Sequence, residues 1–279
     1  MQIQWYPGHM AKAERQIREQ TSKADIIIIV GDARAPEKSV NADFYRSIGS
    51  KRNITVYNKT SLADPAGVEK WKKHFADRGE DVFFTDCVTG EGIGRVASYI
   101  KDLKRSFKFE REPRAIVAGI PNVGKSLLIN TLTKKGSART GDIPGVTRGT
   151  NWIRSDEFYL LDTPGVLPPK FTDQADGVIL ASIGCVKDTI LDREELALKI
   201  LEFMGEAYPS LLTDRYGTDP AGLSPLEIYE AVCRRRGFVL RGGEFDYERC
   251  AVTVIDEFRS GKVGKIIMNL PGDKDESDE

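Results

Sequence analysis

The run Gly119-Ile120-Pro121-Asn122-Val123-Gly124-Lys125-Ser126 has the spacing G-x-x-x-x-G-K-[ST]. Glycines at its ends let a backbone curl so that successive N–H groups converge on one anion. A helix starting there adds the positive end of its dipole. Lys125 is expected to neutralise β- and γ-phosphates, and Ser126 to offer its hydroxyl to Mg²⁺. Pro121, Asn122, Val123 and Gly124 form the curl, and Leu127 follows on the first helical turn, so all are expected to touch the nucleotide. Read alone, the run could be a glycine-rich turn that happens to contain a lysine. A strand-like segment before it and a helix-like segment after it supply the context that the phosphate-binding reading needs.

Downstream, Leu160-Leu161-Asp162-Thr163-Pro164-Gly165 closes an apolar segment with a carboxylate and then a turn. Asp162 can hold Mg²⁺ through water, and the Gly165 N–H can reach a γ-phosphate. Between the two motifs lies Gly145-Val146-Thr147-Arg148-Gly149. Thr147 there can join the Mg²⁺ shell only when a γ-phosphate is present, which makes that loop a switch. Ser126, Thr147 and Asp162 are the expected Mg²⁺ set, and Lys125 and Thr147 are expected to serve the reaction itself.

A guanine ring is usually read by Asn-Lys-x-Asp at a strand end downstream of the phosphate loop. After Asn151 the chain's one asparagine is Asn269, so the motif is not there. Upstream, Asn58-Lys59-Thr60-Ser61 follows the strand-like Ile54–Tyr57, and Thr85-Asp86-Cys87 ends a further strand where a second base-contact loop is expected. The order of parts is therefore rotated, which costs little when a domain's original ends lie close together. Ser61 stands where an aspartate normally accepts from the guanine N1 and N2 hydrogens. Losing such a charge-assisted pair costs on the order of 1.5–3 kcal/mol, which predicts relaxed GTP selectivity.

The elements around these motifs alternate. Strands are expected at Asp25–Gly31, Ile54–Tyr57, Val82–Thr85 and Arg114–Gly119, with a hairpin of Thr150–Arg154 and Glu157–Leu161. Helical spacing covers residues 8–22, 39–48, 65–78, 92–107 and 124–133, while 135–149 reads as a loop. That alternation implies a mostly parallel sheet with helices on both faces. Beyond about residue 170 only helical spacing remains, at 173–183, 192–206, 224–236 and 246–260. Ser224-Pro225 reads as a helix start, and Gly205 and Gly237 as helix ends. The expected division is residues 1–178 as a nucleotide-binding domain, 179–270 as a small helical domain and 271–279 as an acidic, disordered tail.

The bulk numbers remove other classes. The chain has 279 residues, enough for a large and a small domain to bury separate cores. No apolar run approaches membrane-spanning length, and no basic start followed by an apolar stretch suggests a signal peptide. Four scattered cysteines without a CxxC pair, and only two histidines, fit reduced thiols and argue against zinc. Net charge is −1, so no global field draws nucleic acid, but Arg234-Arg235-Arg236 with Arg241 and Arg249 forms a local basic cluster. It reads either as a solvated helix face or as a phosphate-holding surface.

The motif order, with Trp5-Tyr6-Pro7-Gly8-His9-Met10-Ala11-Lys12-Ala13 and Asp32-Ala33-Arg34-Ala35-Pro36, resembles the circularly permuted GTPases of the ribosome biogenesis GTPase A (YlqF/RbgA) family. The stretch from Arg235 to Gly264, including Asp256-Glu257-Phe258-Arg259-Ser260-Gly261-Lys262, also resembles that family's helical domain. The resemblance implies a P-loop NTPase with a circularly permuted Ras-like GTPase domain, followed by a small all-helical C-terminal domain. It implies GTP/GDP and Mg²⁺ as ligands, and GTP hydrolysis stimulated by the large ribosomal subunit late in its assembly, with contact to rRNA. A monomer in the cytoplasm, away from membranes, is expected. Val166 follows Gly165 where many GTPases place a water-orienting glutamine, and the family is hydrophobic there; by resemblance His9 takes that task. Taken by itself, His9 reads as a cap or packing group of an N-terminal helix. Asn122 by resemblance holds K⁺ against the phosphates, and otherwise reads as a loop-shaping residue. Two other classes stand beside this one: a metabolic ATP-dependent kinase, against which no acceptor-binding lid is apparent, and a nucleotide-gated binding module with little hydrolysis.

Overall fold

The computed structural model describes residues 19–40, 48–49, 51–134, 139–140, 152–165, 167 and 173–272. Among these, the residues of Tyr6–Lys170 and Asn269–Asp273 gather into one compact unit and those of Phe171–Met268 into another. The division thus falls ahead of the helix at 174–182 rather than inside it. Residues 41–47 of the expected helix at 39–48, most of that at 8–22, and the tail from 273 lie outside the described residues.

The first unit is a seven-stranded sheet. Its strands are β1 (Ile26–Asp32), β2 (Asn53–Asn58), β3 (Val82–Phe84), β4 (Arg114–Gly119), β5 (Arg139–Thr140), β6 (Trp152–Arg154) and β7 (Tyr159–Asp162), in the spatial order β3-β2-β1-β4-β7-β6-β5. The first five in that order run parallel, and β6 and β5 continue antiparallel at one edge. Every residue of β1 is buried, as its unbroken β-branched run requires of a strand covered on both faces. Ile27, Ile29, Ile116, Ala118, Trp152 and Leu161 share one core cluster. Each fully buried isoleucine contributes roughly 1.5–3 kcal/mol relative to exposure.

Helices α1 (Pro65–Asp77), α2 (Ile93–Asp102) and α3 (Lys125–Lys134) belong to this unit. Asp64 caps α1 by accepting from Ala66 N, and Pro65 occupies its first turn without losing a hydrogen bond. Trp71 and Phe75 on its buried face stack on each other, and Phe75 stacks on Tyr57 of β2. The Trp71 indole N–H donates to the Asn269 carbonyl at 2.9 Å, while Asn269 Nδ2 donates to the Pro36 carbonyl at 2.8 Å. These two bonds tie the last described residues to α1 and to the segment after β1. α2 ends at Asp102 and a tighter 3₁₀ turn carries Leu103–Ser106, where spacing had predicted one helix to 107. Within the expected loop 135–149, Arg139–Thr140 form a two-residue strand against β6.

The second unit is helical: α4 (Gln174–Ser182), α5 (Arg193–Ala207), α6 (Pro209–Tyr216), α7 (Pro225–Arg236) and α8 (Tyr247–Arg259). Leu196, Ala197, Ile200, Leu201 and Met204 form the buried face of α5. Gly205 does not end this helix as expected. It lies inside α5, where a Cβ would come within 3.3 Å of Ile228 Cδ1 on α7, a tight contact with the end of that side chain. α6 went unpredicted from spacing because it is only eight residues long, although Pro209 at its start and Gly217 in left-handed conformation at its end mark both boundaries. Ser224 and Glu227 form a complete capping box at the start of α7, and Gly237 ends it with φ 69°. No helix among the described residues is long and apolar enough to cross a membrane.

The basic cluster is partly internal to this unit. Arg236 reaches the Glu257 carboxylate at 2.9 Å, and Arg215 joins the same carboxylate, its Nε at 2.9 Å. Arg234 lies over the Phe245 ring and Arg249 over Phe238. Burial opposes ionisation of Glu257, but the bond from Arg215 and the charge of Arg236 prevail and lower its pKa. Because the folded pKa is depressed, this stabilisation is complete above the ordinary glutamate value of about 4.3 and fades as pH falls below it. Glu257→Gln is expected to lose on the order of 1–3 kcal/mol near pH 7, tempered by the half-exposed arginines. Denaturant unfolding at a series of pH values checks this: the gap to the unaltered protein narrows below about pH 4.

Candidate nucleotide site

Parallel pairing brings the functional segments to one sheet edge. Asp32 stands opposite Asn58, Val30 opposite Gly119, Tyr57 opposite Phe84 and Val117 opposite Asp162. The loops leaving β2, β3, β4 and β7 therefore emerge side by side at the carboxyl ends of the strands, where open α/β sheets bind ligands.

The loop from β4 to α3 is shaped by its glycines. Gly119 has φ 150°, and a Cβ there would lie 2.3 Å from the Val30 carbonyl oxygen. Gly124 has φ 100° and Asn122 φ 63°. Lys125 is buried, and its Nζ donates to the Gly119 and Ile120 carbonyls at 3.1 and 2.8 Å, which holds the ammonium over the curl. Val123 is fully buried under the loop, whereas Leu127 is 43% exposed on the first turn of α3.

Two of the three expected Mg²⁺ ligands, Ser126 and Asp162, meet. Ser126 Oγ donates to Asp162 Oδ2 at 2.8 Å. A hydroxyl and a carboxylate are the hard oxygen donors that Mg²⁺ takes, usually with several waters retained, so these residues fit the ion. Thr163 Oγ1 donates to the Val117 carbonyl at 2.8 Å and pins the segment after β7 to β4. Gly165 faces Pro121 so closely that a Cβ would come within 2.8 Å of backbone atoms. Pro121, Asn122, Lys125, Ser126, Asp162 and Gly165 line one open cavity of about 500 Å³.

The base loops are stitched to the phosphate loop. Asn58, 1% exposed, donates from Nδ2 to the Val123 carbonyl at 3.2 Å and accepts at Oδ1 from Cys87 N at 3.0 Å. Lys59, at φ 68°, donates from Nζ to the Asn122 carbonyl at 2.7 Å and pairs with Asp32 Oδ2 at 2.8 Å. Asp32 is fully buried and also takes Arg34 Nε and Nη2 at 3.0 and 2.9 Å. Burial works against its charge, and the Arg34 and Lys59 charges overcome it, so its carboxyl titrates well below the usual range. Asp32 was absent from the expected site residues; a lone carboxylate at the end of an otherwise apolar strand is the signal for it.

Thr60 N donates to the Thr85 carbonyl at 3.2 Å, and Ser61 N to Asp86 Oδ2 at 3.0 Å. Asp86 Oδ1 accepts from Val88 N and Thr89 N at 2.8 and 2.9 Å. The Cys87 thiol is pushed up to about 12, by burial first and then by the Asp86 charge, so it stays neutral. Of the expected residues, Asn58, Lys59, Ser61, Thr85, Asp86 and Cys87 thus join one connected set with the phosphate loop. His9, Thr147 and Val166 lie outside the described residues.

The G-x-x-x-x-G-K-S loop after β4, the Ser126–Asp162 pair beside it and the Asn-Lys loop that precedes both in the chain are the arrangement of a circularly permuted P-loop GTPase. A family model described as 50S ribosome-binding GTPase matches residues 114–202. Ribosome biogenesis GTPase A of Bacillus cereus is 40% identical, with 97% of this chain and 95% of the relative covered. GDP-bound and GNP-bound structures of YlqF, the latter from T. maritima, superpose with TM-scores of 0.68 and 0.66. Each is 27% identical, with 93% and 94% of this chain and 100% of each structure covered. This chain belongs to the ribosome biogenesis GTPase A family, and is accordingly a GTP-hydrolysing protein of ribosome biogenesis.

Asp32→Asn leaves two cations around a neutral, buried amide. It is expected to lower unfolding free energy by about 3–5 kcal/mol, the usual cost of removing one partner from a buried ion pair. A drop in the denaturation midpoint at unchanged slope is the measurement that checks it.

Proposed function

We propose that the chain binds GTP with Mg²⁺ at this sheet edge and acts in late maturation of the large (50S) ribosomal subunit, which stimulates its hydrolysis. The observation that carries this reading is the convergence of Lys125, Ser126 and Asp162 with Asn58 and Lys59, in a chain of this family. The GTP phosphates lie on the amides of 119–126, the Lys125 ammonium balances their charge, and Ser126 and Asp162 hold Mg²⁺, with Thr147 joining when a γ-phosphate is present. When bound, Mg²⁺ supplies charge for the transferred phosphoryl oxygens. Pro121, Val123, Gly124 and Leu127 shape the phosphate cradle, and Gly165 reports on the γ-phosphate. Thr85, Asp86 and Cys87 complete the wall against the base.

In this reading His9 positions the attacking water, since Val166 cannot, and Asn122 holds K⁺ against the phosphates. The helical unit contacts rRNA through the arginines that are not engaged internally; Arg235 and Arg241 are exposed. The protein works as a monomer in the cytoplasm.

The deciding experiment is co-sedimentation with large subunits in GTP-analogue and GDP states, with turnover read in the same tube. Binding that depends on the nucleotide and turnover that rises when subunits are added are expected. Equal turnover with and without subunits overturns the assembly role. His9→Ala is expected to keep GTP affinity and to lose about 10²-fold or more of stimulated turnover. Turnover is expected to be faster in K⁺ than in Na⁺; equal rates remove the monovalent ion from Asn122.

A further inference from the structure

Ser61 by itself is a poor reader of guanine. A hydroxyl carries one donor and two acceptor positions and can turn either toward a ligand. It can accept from the guanine N1–H and N2–H groups or donate to the adenine N1 lone pair. What surrounds Ser61 decides between these two states.

The Asp86 carboxylate is fixed beside it. Val88 N and Thr89 N hold Oδ1, and Ser61 N holds Oδ2. Asp86 is 1% exposed and Ser61 half-buried, so the serine is what a ligand can reach. Burial raises the Asp86 pKa, but the Ser61 hydroxyl and the Thr89, Ser61 and Val88 amides outweigh it and lower the value. Near neutral pH the carboxylate is therefore ionised and can only accept.

We propose that Asp86 takes the Ser61 hydroxyl proton in a hydrogen bond, so that Ser61 Oγ presents only lone pairs to the base and reads guanine by its N1–H and N2–H donors. This rests on the nucleotide reading above and names its specificity-determining pair. The negative charge that an aspartate at position 61 would carry is supplied from the neighbouring loop, one residue behind the contact. Asp86 is a positioning residue, and Ser61 is the contact. Selectivity for guanine is retained in place of the relaxation expected from Ser61 alone. An amide at position 86 would donate to Ser61 Oγ and turn the hydroxyl proton outward, toward the pattern that adenine accepts.

Dissociation constants of the full chain for GDP, IDP and ADP provide the test, since they need no hydrolysis. The unaltered protein is expected to prefer GDP over ADP, with IDP, which lacks the N2 amine, between them. Asp86→Asn is expected to lower the GDP-to-ADP preference about tenfold, and Ser61→Ala to lower it similarly, about the effect of one hydrogen bond to a charged or oriented group. Ser61→Asp combined with Asp86→Asn is expected to restore the preference. Ser61→Ala leaves every backbone bond to Asp86 in place, so it reads the hydroxyl even if Asp86→Asn fails to fold. An unchanged preference in Ser61→Ala overturns the pairing while leaving the nucleotide site intact. Equal binding of GDP and ADP by the unaltered protein does the same. Failure of the unaltered protein to bind any of the three overturns the nucleotide reading and this inference together.

Discussion

The Asn58 side chain is the interaction on which the site depends. One amide group donates to the phosphate loop at Val123 and accepts from the loop after β3 at Cys87. With 1% exposure it cannot exchange those partners for water without opening the structure. The phosphate loop, the end of β2 and the loop after β3 are therefore tied together through one buried side chain. Gly124 belongs to the same constraint: a Cβ there would lie 2.3 Å from Asn58 Nδ2. Lys59 adds a parallel tie, spanning the Asn122 carbonyl and the buried Asp32 carboxylate. Two adjacent residues, the last of β2 and the next, thus hold the phosphate loop at two successive carbonyls.

This arrangement explains why a rotated order of parts costs nothing at the site. The loops are positioned by which strands are neighbours, not by which come first in the chain. β4, which carries the phosphate loop, lies between β1 and β7, and β2 follows outward from β1. In that register Asp32 stands beside Asn58, and β1 and β7 bring Asp32 and Asp162 to the two sides of the phosphate loop. The bonds from Trp71 and to Pro36 hold Asn269 in the same unit, so the chain re-enters it after the helical region.

Elements with strong local signals were legible in the sequence. β4 matches its expected bounds, β1 and β2 differ by a residue at their ends, and Ser224-Pro225 and Gly237 bound α7 as read. Gly205 misled because a glycine within a helix and one that ends a helix are the same letter. α6 escaped because eight residues leave little periodicity to detect. At the site, residue types and spacing pointed to Lys125, Ser126 and Asp162, since phosphate and Mg²⁺ chemistry demands few alternatives. The Asp32–Lys59–Arg34 arrangement and the meeting of Ser61 with Asp86 were not legible, because each depends on side chains brought together by strand pairing or by loops far apart in sequence. Position 61 carries no charge along the chain, yet in space the Asp86 carboxylate lies on its amide.

A crystal structure of the protein with GDP and Mg²⁺ tests the central claim most directly. The account predicts phosphates on the amides of 119–126, the metal at Ser126, and the purine ring against Asn58 and Lys59, with the loop after β3 on its other side. A ring bound away from Asn58 and Lys59, with phosphates still on the loop, would contradict it.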